Sequence, residues 1–184
     1  MQAIRLFLLS ALFAIHCYSQ ANQADVSEQH SIASPDKQLL IVFSGGNPTF
    51  PDAFRIQDNH GNTLVSSHYC PSIPKFTMFQ PEYVLWSLDA QAVAVAGGVG
   101  KELETYVFVH QNNRFVIVPL PDLTEHNDNP YVRPIKWMSG HRLVLDISGP
   151  HAGHVDTYYS GRATICISVA SATCETLYHY LRYQ

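Results

Sequence analysis

A thirteen-residue block recurs three times in this chain without a gap, and it constrains the fold more than any local propensity does. It reads ASPDKQLLIVFSG at 33–45, WSLDAQAVAVAGG at 86–98 and WMSGHRLVLDISG at 137–149. The copies stand about 50 residues apart, a period that marks a repeated supersecondary unit. Each copy has the same grammar. An apolar strand approaches, and a turn of Ser-Pro-Asp, Ser-Leu-Asp or Ser-Gly follows. A strong apolar strand (39–43, 92–96 or 143–147) then runs to a glycine: Gly45, Gly98 or Gly149. Strands apolar on both faces are expected to be covered on both sides.

The grammar continues past the block. Residues 54–57 and 63–65 flank the turn 58–62, residues 105–109 and 114–118 flank Gln111-Asn112-Asn113, and residues 163–169 and 175–180 flank 170–173. Asn and Gly tolerate the positive φ that such turns need. Four strands joined by short turns, three times over, predict an all-β chain of three tandem four-stranded antiparallel units. No helical periodicity is evident past residue 21.

The segments ASPDKQLLIVFSGG and WSLDAQAVAVAGG resemble the Trp-Ser-Pro-Asp-Gly signature of WD40-like, TolB-type β-propeller blades. The resemblance covers most of 33–182 as a pattern, with the thirteen residues per unit as its specific core. Ala33 stands where the Trp belongs, and Ser139-Gly140 where Pro-Asp belongs. The resemblance implies blade-like units. Closed propellers have about four to eight blades, so three units imply a partial propeller, with a β-sandwich or barrel as the alternative. It implies no activity, because propellers carry many unrelated functions.

The first residues belong to a different pattern. One positive charge, Arg5, precedes the apolar run 6–15, and the polar, small-residue stretch CYSQANQA follows. This order predicts a signal peptide over 1–21, cleaved after Ser19 or Ala21, and therefore a secreted or periplasmic protein. The run is half the roughly 20 residues that a membrane-spanning helix needs. Cys17 follows His16, too large and polar for a lipoprotein site. Residues 22–32 read as a flexible lead-in and 33–184 as a single β-repeat domain.

Charge excludes some functions. The formal net charge is −4, only 14% of residues are charged, and no basic run exists. Nucleic acid and anionic membrane surfaces are therefore not expected partners. No later segment is apolar enough to insert stably in a bilayer. Past the signal peptide lie Cys70, Cys166 and Cys174. Three thiols allow one disulfide, and Cys166 and Cys174 are near in sequence. A tight hairpin centred on Ser171-Ala172 would hold them apart, so a bridge needs a wider turn or Cys70 as partner.

Strand parity locates the candidate site. In a four-stranded meander, the connection from second to third strand and the connection to the next unit lie at the same end. Two connections of these kinds are long, 119–134 and 149–162, and long connections in compact domains are more often functional than neutral. This rim is the expected working surface. His151, His154 and Asp156 could ligate a zinc-like metal, with His126 or Asp128 approaching from the neighbouring loop. Tyr131, Tyr158 and Tyr159 are amphipathic anchors of the kind interfaces favour, and with His126 and Asp128 they form the candidate partner-binding set. Trp86 and Trp137 occupy equivalent places and read as core.

Catalytic motifs are poor. No Gly-x-Ser-x-Gly elbow is present, and Pro74 denies Ser72-x-x-Lys75 the helix it needs. Gly97–Lys101 lacks the ending of a phosphate loop, and no cofactor motif is evident. Asp122, Glu125, Asp128 and Asp156 could act in glycan cleavage, but their spacing does not select it. The leading expectation is an exported binding module that recognises a protein or glycan through the rim. The alternatives are a metal-dependent hydrolase using His151, His154 and Asp156, and a structural envelope subunit whose sheet edges pair with another chain.

Overall fold

The computed structural model describes residues 30–47, 49–75, 77–124, 129–150 and 157–183. Their strands form three antiparallel meanders, each with spatial order equal to chain order. The first sheet contains β1 (His30–Ala33), β2 (Leu39–Ser44), β3 (Ala53–Asp58) and β4 (Thr63–Ser66). The second contains β5 (Met78–Trp86), β6 (Ala92–Gly98), β7 (Glu104–Gln111) and β8 (Arg114–Val118). The third contains β9 (Tyr131–Met138), β10 (Arg142–Pro150), β11 (Tyr158–Ser168) and β12 (Thr173–Tyr183). The all-β reading in three four-stranded units holds, and no sheet closes into a barrel. Among the described residues the helical element is a single 3₁₀ turn, Ser67–Tyr69, and no helix is long and apolar enough to cross a membrane.

The repeated block is a repeated turn. Ser34 Oγ donates to Asp36 Oδ1 at 2.6 Å and accepts the Leu39 N–H at 3.0 Å. Ser87 repeats both bonds, to Asp89 at 2.7 Å and from Ala92 at 2.9 Å. The same place in each turn takes a left-handed residue: Lys37 (φ 59°), Ala90 (φ 58°) and His141 (φ 52°). In the third unit Met138 replaces the serine, and Gly140 at φ 68° supplies the turn instead. His141 Nε2 lies 2.8 Å from Asp89 Oδ2, so the acidic residue of one turn meets the next turn.

Alternation along β6 explains the stacking. Val93 and Val95 pack with Ile41, Phe43, Phe54 and Ile56 of the first sheet. Ala92 and Ala94 pack with Leu143, Leu145 and Ile165 of the third. Every residue of β6 is buried, so the second sheet is the middle layer and its two-faced apolar pattern is accounted for. Phe54 meets Phe79 edge-on at 4.8 Å and Phe108 at 5.5 Å. Such pairs contribute about 0.5–1.5 kcal/mol each beyond burial. β10 differs from the expectation of two covered faces: Leu143, Leu145 and Ile147 face inward, while Asp146 and Ser148 are only partly buried.

The seams between sheets repeat as well. Phe79 N–H donates to the Pro51 carbonyl, and Val132 N–H to the Leu103 carbonyl, both at 2.7 Å. Trp137 Nε1 donates to the Leu85 carbonyl across the second seam at 2.8 Å. Trp86 packs against the first core, but its indole N–H is buried without a partner.

Two boundaries need correction. β1 occupies His30–Ala33 and pairs with β2 in register His30↔Phe43 to Ala33↔Leu40, so the end of the segment 22–32 is sheet rather than lead-in. The long connections are shorter than expected, because β9 begins at Tyr131, β10 runs to Pro150 and β11 begins at Tyr158. The three described thiols are free. The turn before β12 is wider than a tight hairpin, with Ser168 opposite Thr173. Cys174 lies opposite Ile167, and Cys166 opposite Glu175. The two cysteines therefore project from opposite faces, where no bridge can form.

Candidate functional site

The predicted rim exists as one end of the stack. Ser148 pairs with Tyr131 and Pro150 with Tyr158, so the ends of β10 and the starts of β9 and β11 converge there. Gly149 sits where the two connections approach. A methyl group on it would lie 3.0 Å from the Asn129 carbonyl and 2.7 Å from the Tyr159 hydroxyl. Glycine is required by proximity here, not by a left-handed backbone.

Both seams open at this end as cavities, and the two are related by the repeat. The first, of about 710 Å³, lies between Asp52 and the 67–77 connection; His68, Cys70, Lys75 and Phe79 line it. The second, of about 440 Å³, lies between Glu104 and the 119–130 connection; Tyr106, Asp122, Leu123 and Val132 line it. Asp52 and Glu104 each stand one residue past the carbonyl that closes their seam, so each cavity carries a carboxylate beside its seam bond. Tyr106 Oη donates to Glu104 Oε2 at 3.1 Å. Burial, then the charge of Glu104, pushes the Tyr106 phenol upward, so it stays a protonated donor. Thr105 Oγ1 donates to the Val132 carbonyl at 2.8 Å and fixes the cavity wall.

Around this end the third sheet turns an outer face rich in tyrosine and arginine. Alternation places Tyr131, Arg133, Asp146, Tyr158, Arg162 and Tyr180 on it. Asp146 is held at 2.8 Å by Arg133 and at 3.7 Å by Arg162, and Arg182 lies 5.5 Å from the centre of the Tyr180 ring. Tyr158 is 61% exposed and Tyr131 38% exposed, so both can meet a partner. Tyr159 cannot. It is 1% exposed and belongs to the core between second and third sheets, because neighbouring strand residues face opposite ways. Burial, then Tyr183 and Asp122, pushes its phenol up to about 12, and its hydroxyl has no hydrogen-bond partner.

His126, Asp128, His151, His154 and Asp156 lie outside the described residues. Among the described residues no group of three or more His, Cys, Asp or Glu side chains is arranged to hold a metal. Sequence reasoning missed Asp52, His68 and Glu104, and weighed Lys75 only as part of a nucleophile motif. No motif or spacing marks Asp52 or His68, because the block offset sets Asp52 against Thr105. No protein-family model, no curated protein and no solved structure matches the chain.

Proposed function

We propose that this protein is an exported binding module that recognises a protein or glycan through the rim of its three-sheet stack. The observation that carries the reading is the pair of repeat-related cavities at one end. Each sets a carboxylate beside an apolar or proline-lined wall. A few placed polar groups on a mostly apolar concave wall are the usual composition of a binding site. Tyr131 and Tyr158 flank the same end and suit it to contact with a partner. Export is supported by the charged, apolar and small-residue order of residues 1–21.

The reading is tested by capture from an envelope extract, run beside a glycan array. The bait is wild-type protein, an Asp52→Ala/Glu104→Ala variant, or a Tyr131→Ala/Tyr158→Ala variant. Loss of the same partner or glycan in both variants supports the rim. An identical bound set with all three baits removes it. Cell fractionation tests the export half separately, and a product retained in the cytoplasm with residues 1–21 intact sinks that half.

A further inference from the structure

We infer that the free edge of β12 is a self-association surface: a second copy of this chain pairs antiparallel along it and extends the third sheet from four strands to eight. The outer edges of the first two sheets are short, four residues in β4 and five in β8. β12 has eleven. Proteins blunt long edges with proline, lysine, bulges or covering segments. The β12 sequence TCETLYHYLRY has no proline and no lysine, and of these devices it carries a single bulge, at Leu177. Among the described residues the backbone of 173–182 pairs with β11 alone. Leu177 and Tyr178 on it are 49% and 57% exposed, an adjacent pair that a paired strand would cover in part.

The strand is complementary to itself. Glu175 lies opposite Cys166 and Arg182 opposite Ser160, so both project from the outer face of the sheet. The register shifts between Thr164 and Ile165, which leaves Leu177 as the extra residue against β11. Leaving Leu177 unpaired on the new edge too, a twofold axis through His179 sets Tyr178 of each copy opposite Tyr180 of the other. Thr176 then meets Leu181, and Glu175 meets Arg182, twice over. Every residue meets one from its own face, and a slip of one residue would break both charge pairs. Such an interface is isologous and closes at two copies. The inference is independent of the rim reading, because the paired edge runs along the side of the third sheet.

The test is mass in solution, by light scattering or sedimentation over a range of concentrations. The purified protein is expected at twice the mass of one chain. Glu175→Arg replaces two opposite-charge pairs with two like-charge pairs and raises the dimer dissociation constant by roughly tenfold. Combining Glu175→Arg with Arg182→Glu restores the pairs and the dimer, which a merely unfolded single variant would not do. A wild-type protein that stays monomeric throughout overturns the inference. So does a dimer indifferent to the single variant, which would place association elsewhere.

Discussion

The Ser87 hydroxyl closes its turn from two sides, donating to Asp89 and accepting the Ala92 N–H, in a residue that is 3% exposed. Ser87→Ala leaves that amide without its side-chain acceptor, and a buried unmade bond costs about 1–3 kcal/mol. We expect a loss of about 2 kcal/mol in urea unfolding. The two tryptophans offer a sharper contrast. Trp137 uses its indole N–H across a seam, whereas the N–H of Trp86 is buried and unmatched. Trp137→Phe should therefore cost more than Trp86→Phe by about 1 kcal/mol, and equal losses would show that the seam bond contributes nothing net. The turn carboxylates set an acid limit. The Ser34 hydroxyl and then the Gln38 amide hold Asp36 below the usual carboxylate range. Burial raises Asp89, but Ser87, Gln91 and His141 together outweigh it and leave it lowered. A carboxyl depressed by folding stabilises above its unfolded pKa, and that support fades as pH falls through the folded value. Urea midpoints should thus decline below about pH 4, and less steeply in an Asp36→Asn/Asp89→Asn variant.

At the scale of elements, Gly149 ties the end of β10 to the connection that precedes β9. Gly149→Ala must displace either Asn129 or the Tyr159 ring, and we expect a loss of about 1–3 kcal/mol, as for other overpacked sites. An unchanged melting curve would mean that the rim gives way freely. The sequence announced the turns around Asp36 and Asp89 and the strands after them, because Ser-x-Asp chemistry and apolar runs are local signals. It did not announce β1, whose four residues, HSIA, become a strand only by pairing with β2. Tyr158 and Tyr159 were indistinguishable from composition. Which of them faces the core depends on where β11 starts, and Gly161 and Arg162 disguise that start as loop. The opposite facing of Cys166 and Cys174 was already legible, because Cys174 falls opposite Val169 in a tight hairpin or Ile167 as found, and both lie on the face away from Cys166. Asp52 and Glu104 were not marked by the spacing, since the block offset sets Asp52 against Thr105, and the cavities beside them arise only when sheets stack.

At the scale of the molecule, the stack is unequal in its layers, and among the described residues no strand covers the outer faces of the first and third sheets. The middle sheet is covered on both faces, so amide exchange should be slowest in β6 and β7 and approach the global unfolding free energy there. β12, half-exposed along its length, should exchange fastest of the long strands in dilute protein and slow with concentration if its edge pairs. The ends lack the two side-chain bonds that the second seam has and the first seam does without. The second seam uses Trp137 against Leu85 and His141 against Asp89. The first unit has Ala33 in place of that indole, and the third has Gly140 in place of that carboxylate. A third sheet of one copy meeting the first sheet of another would therefore have neither bond. Head-to-tail contacts generate rings or filaments, whereas isologous ones stop at two. We accordingly expect sedimentation at high protein concentration to find nothing larger than a dimer. Species of three or more copies, or a ring, would show that the open faces associate without the seam residues and that the repeat continues between chains.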